Sequence, residues 1–157
     1  MPCALRISEA ASLGMHSMAL LAIDPARSLS VRAIGRTFGV SEAHLSKVLQ
    51  RLVKVGLLSS ARGPRGGFSL VKTPEDVTLL DIYEAIEGPV EQSGCLFSVP
   101  LCEGHDCILG HALIQANDIL KERLVHTTLA DTRQILGQRG VVPRLDDEED
   151  EPAANPG

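Results

Sequence analysis

The stretch "SVRAIGRTFGVSEAHLSKVLQRLVKVGLLSSARGPRGGFSLV", residues 30–71, constrains the fold more than any other part of the chain. Its first part, "SVRAIGRTF", reads as a short helix with Ser30 as N-cap and Gly39 as its stop. After the tight turn "FGVS", Ser41 is placed to cap a longer helix whose Leu45, Val48, Leu49, Leu52 and Val55 form one buried stripe ending at Gly56. The hydrophobic period then changes. Two short β-type runs, Leu57 to Ala61 and Phe68 to Val71, flank Gly63, Pro64, Gly66 and Gly67, which predicts a hairpin. Helix, turn, helix and hairpin in this order make a winged helix-turn-helix, so the expected fold class is mainly α with a two-stranded wing.

The flanking segments complete that plan. Residues 5–23 carry apolar positions with helical spacing, and Asp24-Pro25 stops them because the residue before proline disfavours the α region. Thr78 caps a helix through Ile86, with Asp81 near its positive end and Gly88 just after it. From Cys107 to Val125 the apolar positions Leu109, Leu113, Ala116, Leu120 and Leu124 step by three or four. This long amphipathic C-terminal helix needs a surface to lie against, either the chain's own first helix or a second subunit; the second subunit is the expected one, which makes it a dimerisation helix. "TTLADTRQIL" predicts one last short helix, and the acidic, Pro-containing end predicts disorder. The chain thus divides into a DNA-binding domain at 1–88, a cysteine-bearing loop at 89–106, a dimerisation helix with a short terminal helix at 107–137, and an acidic tail at 138–157.

With 157 residues the chain can bury a core without disulfides. No apolar run approaches twenty residues, and the N-terminal stretch mixes Arg6, Glu9 and His16 into its apolar residues. A soluble cytoplasmic protein with no membrane association is expected.

The net charge of −5 argues against a nucleic-acid partner only until it is counted by segment. From Arg27 to Lys72 there are nine basic residues against one acid, Glu42, a balance of +8. That is the electrostatic footprint of a phosphate-binding surface. The second helix opens with Ser41, Glu42, His44 and Lys47, short polar and basic groups of the kind that reach base edges in the major groove. Arg51 and Lys54 lie further along, better placed for phosphates. Arg62 and Arg65, among the glycines of the hairpin tip, are candidates for phosphate or minor-groove contact. Double-stranded DNA is the partner this pattern implies.

Cys95, Cys102 and Cys107 occupy thirteen positions of a Gly- and Pro-containing segment, while Cys3 stands alone near the terminus. Thiolates are soft ligands suited to iron-sulfur clusters or zinc, and in a reducing cytosol clustered cysteines bind metal or exchange electrons more often than they form permanent bridges. The amide donors of a helix start beside Cys107 suit a negatively charged sulfur ligand. The spacing matches neither the paired Cys-x-x-Cys of a zinc ribbon nor the dense ferredoxin run. Thiol-disulfide sensing without metal is the alternative reading. An enzyme built on a Cys/His nucleophile is not expected, because no oxyanion site or orienting acid accompanies the thiols.

The segments "GVSEAHLSKVLQRLVKVGLLSSARGPRGGFSL", "DCILGHALI" and "TTLADTRQIL" resemble the iron-sulfur winged-helix transcription regulators typified by IscR and NsrR. The resemblance runs from Leu5 to Leu136, and the wing "RGPRGGFSL" is its most specific part. It implies a homodimer that reads a partly palindromic operator with half-sites about one helical turn apart, and a repressor is the expected function. It also implies a cluster, 2Fe-2S or 4Fe-4S, held by Cys95, Cys102 and Cys107, with a fourth ligand from elsewhere. Ser12 stands where several relatives place an acidic residue of the first helix. His111 follows Cys107 by four positions, one more than in relatives that use a histidine. Glu9, His16, His105 and a small molecule are the other candidates. The implied signals are redox state, nitric oxide or iron-sulfur status. Some relatives lack the cluster and respond to thiol oxidation or to a bound partner protein, which is the alternative function.

Overall fold

The computed structural model describes residues 7–63, 66–90 and 107–143. Helix α1 (Glu9–Leu21) runs through the middle of the fold. Ser8 starts it by accepting a hydrogen bond from the Ala11 amide at 3.0 Å, and the same hydroxyl donates to Glu87. The expected helix over 5–23 is thus present but shorter within the described residues. Leu13, Met18, Leu20 and Leu21 are buried along it, each buried leucine stabilising the fold by roughly 1.5–3 kcal/mol. At Gly14 the backbone of α1 lies so close to Ile86 that an added Cβ would collide with it.

Helix α2 (Val31–Phe38) is capped by the Ser30 side chain and ends at Gly39, whose φ of 66° is the left-handed conformation expected of a glycine stop. Helix α3 (Glu42–Lys54) follows after the short turn. Ser41 occupies its N-cap, but its side chain makes no capping hydrogen bond, so the expected cap is positional only. Leu45, Val48, Leu49 and Leu52 are buried as the periodicity predicts. Val55 is not: it is the C-cap residue, 53% exposed, because the helix unwinds there and leaves the phase of the stripe.

Strands β1 (Leu58–Ala61) and β2 (Gly67–Leu70) pair antiparallel with Leu58 opposite Leu70 and Ala61 opposite Gly67, one residue from the expected limits. The wing is not confined to these two strands. Leu29, in the connection from α1 to α2, bridges to Phe68 through reciprocal backbone hydrogen bonds of 3.0 and 2.8 Å. Phe68 is itself buried in the core.

After a single 3-10 turn (Pro74–Asp76), α4 (Leu79–Glu87) begins with the expected Thr78 and Asp81 pairing, a reciprocal capping box. Helix α5 (Ile108–Val125) has Cys107 as N-cap, and α6 (Leu129–Gln138) has a second capping box made by Thr128 and Asp131. The two helix starts of α4 and α6 are tied together. Leu79 donates to Thr127 at 2.9 Å and Leu129 donates to Val77 at 2.9 Å. The buried positions of α5 include Gly110, Asn117 and Leu124, with Leu113 and Leu120 half-buried among them. Leu109 and Ala116, expected in that stripe, are exposed in the single chain. Residues 139–143 leave α6 through Gly140 (φ 66°) and return toward α1, with Val141 packed on the core. The cysteine-bearing residues 91–106 and the tail from 144 onward lie outside the described residues. No described helix is long and apolar enough to cross a membrane.

Candidate nucleic-acid interface and cysteine centre

Helix α3 spends its apolar stripe on the core and leaves the opposite side to solvent. His44, Lys47, Arg51 and Lys54 recur at spacings of three and four, so they form one exposed stripe beside the buried one. Ser41 and Glu42 are exposed at the helix start, where Glu42 also lies near the close approach of α2 at Gly35. Arg51 differs from its neighbours. Its Nη1 donates to the Ile86 carbonyl at 3.3 Å, so this guanidinium ties α3 to the end of α4. Lys47, Lys54 and His44 remain the outward groups of the stripe.

Arg62 is exposed at the end of β1, where the wing turns. Gly63 has a φ of 111°, and a Cβ on Gly66 would strike the backbone at Ala61, so the turn has room for glycine at both places. Across the strands the Ser59 and Ser69 hydroxyls share a 2.8 Å hydrogen bond. Arg65, with Pro64, lies outside the described residues.

Of the three clustered cysteines, Cys107 is described. It is half-buried, and its Sγ accepts the Gly110 amide at 3.3 Å, the geometry of an N-cap with sulfur in place of oxygen. A sulfur presented to helix-start amides in this way fits a soft-metal thiolate ligand. Cys95, Cys102 and His105 lie outside the described residues, as does Cys3. Among the described residues no three His, Cys, Asp or Glu side chains gather as a metal site.

The candidate fourth ligands have distinct surroundings. His111 is exposed one turn into α5, its amide donating to the Cys107 carbonyl at 3.1 Å. Ser12 is half-buried on α1, with its hydroxyl 3.4 Å from His16 Nδ1. His16 Nδ1 lies 2.8 Å from the Ser12 carbonyl, a bond in which the ring nitrogen is the donor. That fixes Nε2 as the ring's other, unprotonated face when the imidazole is neutral. The ring also meets Phe38 edge to face, with centroids 6.1 Å apart, linking α1 to the end of α2. Glu9 is exposed at the start of α1.

Two features escape a reading of the residue pattern. Asn117 is 2% exposed in the middle of α5, and its only signal is that it falls in phase with Leu113, Leu120 and Leu124. A cavity of about 330 Å³, lined by Met15, His16, Leu79, Leu124, Ile135 and Leu136 among others, opens where α1, α5, α6 and the start of α4 converge. It is formed by elements distant in sequence, and no local spacing announces it.

Comparison with known proteins gives the arrangement its context. A family described as "Rrf2: Iron-dependent Transcriptional regulator" matches residues 7–134. The putative HTH-type transcriptional regulator YwgB of Bacillus subtilis is 32% identical over 123 residues, 76% of this chain and 78% of the relative. The structure of CymR, the global cysteine regulator of B. subtilis, superposes with a TM-score of 0.69 at 30% identity, over 83% of this chain and 98% of that one. IscR of T. potens gives a TM-score of 0.65 at 26% identity, over 96% and 94%. The relatives are regulators rather than enzymes, and their winged helix-turn-helix is the fold found here. The chain belongs to the Rrf2 family of transcriptional regulators.

Proposed function

We propose that this regulator acts as a homodimer, as a repressor, and that an iron-sulfur cluster held by Cys95, Cys102 and Cys107 controls its grip on a partly palindromic operator. The observation that carries the cluster reading is Cys107 at the N-cap of α5, half-buried and oriented by the Gly110 amide. The iron dependence in the family's description and the likeness to IscR support it. When bound, the cluster supplies a redox- and nitric-oxide-sensitive centre whose loss or change of state is the signal. Ser12 and His111 are the two protein candidates for its fourth ligand.

The dimer reading rests on α5. Leu109, Ala112, Ala116 and Ile119, spaced by three and four, leave an apolar ridge exposed, Leu109 by 63% and Ile119 by 70%, on a helix that the rest of the chain covers along one side only. A second α5 buries that ridge and sets the separation of the two α3 helices. Ser41, Glu42, His44 and Lys47 read bases in this proposal, and Arg51, Arg62 and Arg65 hold the backbone, Arg51 only by releasing or sharing the Ile86 carbonyl. The cysteine-bearing segment connects α4 to α5, so a change at the cysteines acts on the spacing of the two recognition helices. A coupling of about 1–3 kcal/mol is the usual size of such control. The protein works in the cytoplasm in this reading.

A second reading has a specific observation in its favour. CymR, described as a cysteine regulator, superposes with the higher TM-score of the two structures compared. In that reading the chain carries no cluster and responds to thiol oxidation or to a bound partner protein. Anaerobic purification separates the two. A brown protein with visible absorption, iron and acid-labile sulfide is expected, whereas a colourless, iron-free protein that still binds its operator sinks the cluster reading.

A further inference from the structure

The C-terminal end of the described chain does not point away from the DNA-binding surface. Gly140 turns the backbone at the end of α6, the Val141 amide donates to the Leu136 carbonyl at 3.1 Å, and Val141 packs on the core. Val142 and Pro143 then share a small pocket with Leu20, Ile23, Asp24, Arg27 and Leu29. Leu29 is the residue that bridges to Phe68 of the wing. The chain therefore leaves the described region at the root of the wing, beside Arg27, at one end of the +8 segment.

Beyond Pro143 the sequence runs "RLDDEEDEPAANPG", with six consecutive acids from Asp146 to Glu151. An extended chain covers at most about 3.6 Å per residue, so Asp146 lies within about 11 Å of Pro143 and Glu151 within about 29 Å. From Leu29 to β2 and on to β1 is two strand spacings, about 10 Å. Arg27, Arg32 and Arg62 are all exposed. Arg27 and Arg32 stand two and three residues from Leu29, and Arg62 lies about 7 Å along β1 from the Ser60 that pairs with Phe68, so the tether is long enough for all three. Two nearby charges modify the match: Asp24, in the same pocket, repels the tail, and Arg144 offsets one of its acids.

We propose that the acidic segment Asp146 to Glu151 docks on the basic surface around Arg27, Arg32 and Arg62 of its own chain and competes with DNA phosphates for it. The proposal rests on the reading of this surface as the DNA interface. The tether gives the acids a high effective concentration there, while their contacts lack the geometry of a duplex. The tail then suppresses binding to arbitrary DNA, which is almost wholly electrostatic, more than it suppresses binding to an operator held also by base contacts. Its effect fades as salt rises.

The test uses the full chain with Asp146→Asn, Asp147→Asn, Glu148→Gln, Glu149→Gln, Asp150→Asn and Glu151→Gln together. In amide NMR spectra without DNA at about 50 mM salt, resonances of Arg27 to Arg32 and of Ser59 to Gly67 should differ between the parent and this variant. They should converge at high salt. With random-sequence duplex at low salt, the variant should bind on the order of tenfold more tightly and with a steeper salt dependence. Identical spectra overturn the docking whether or not the protein binds DNA. Differences that vanish on dilution overturn it too, because they place the tail on another molecule. Failure of both proteins to bind any duplex, with the spectral differences intact, counts against the DNA interface and leaves the docking standing.

Discussion

Thr78 and Thr128 face each other as an antiparallel bridge, and each caps the helix that follows it with a hydroxyl that accepts from the third-position aspartate amide. Asp81 and Asp131 close the two boxes by accepting the threonine amides, both at 2.8 Å. Two helices far apart in sequence, α4 and α6, therefore start from one shared junction. Replacing Thr78 by Ala removes a cap and should lower stability by about 1 kcal/mol, read as a drop in the thermal midpoint. An unchanged midpoint would show that backbone bonds alone hold the junction.

The same junction has a pH dependence. The hydrogen bonds from the Thr128 amide and hydroxyl hold the Asp131 carboxyl below the ordinary aspartate range; desolvation opposes them, and the charge of Arg123 adds the least. A carboxylate with a depressed folded-state value adds stability that is fully present above the unfolded-state value, about pH 3.9, and is lost as pH falls through the folded-state value. Asp131→Asn should thus lower the thermal midpoint at neutral pH, and the gap to the parent should close under acid. A gap that persists at the lowest pH would remove the carboxylate as its cause.

In the wing, Gly67 has a φ of 151°, and a Cβ there would sit 2.5 Å from the Leu29 carbonyl oxygen. Gly67→Ala should cost about 2 kcal/mol or more, because both the backbone conformation and the bridge to Leu29 resist it. Faster amide exchange at Phe68 would accompany the loss. If the variant is as stable as the parent with Phe68 equally protected, the bridge is not what fixes the wing.

For DNA, Arg65→Ala should weaken binding to all sequences and reduce the salt slope by about one, the signature of a lost phosphate contact. His44→Ala should instead change which operator variants bind best. Equal affinity of the Arg65 variant at every salt concentration would remove the wing tip from the interface.

At the cysteines, Cys102→Ala should abolish visible absorption and bound iron, while Ser12→Ala distinguishes the ligand candidates. A Ser12 variant with an unchanged spectrum and unchanged cluster lifetime would leave His111 as the residue to replace next. On α5, Ile119→Glu should leave the single chain folded, since the side chain touches little within it, yet halve the sedimenting mass. A mass unaffected by that charge would place the dimer seam elsewhere.

The helices and the wing were legible in the sequence because their signals are local. Ser30, Gly39, Thr78 and Asp81 fix helix ends through neighbours no more than four residues away, and the period of α3 follows from a stripe it buries itself. The misplacements share one cause. Val55, Leu109 and Ala116 fit the apolar spacing, but whether a position is covered depends on packing that spacing does not encode. Asn117 is buried for the same reason. Arg51 looked like a phosphate ligand by its place on α3, and its contact with Ile86 depends on α4 arriving from 35 residues away. Leu29 gave no strand signal because one bridge is too short to leave a pattern.

That single bridge alters how the wing works mechanically. A ribbon of two four-residue strands is marginal in water when it stands alone. Here its root is stitched to the connection between α1 and α2, and Phe68 is anchored in the core beneath it. The ribbon and α3 are thereby held as one stiff jaw, and in the dimer proposed above a signal would alter the gap between two jaws while leaving the bite of each unchanged. Slow, matched exchange of the Leu29 and Phe68 amides with and without operator is the expected sign of that stiffness.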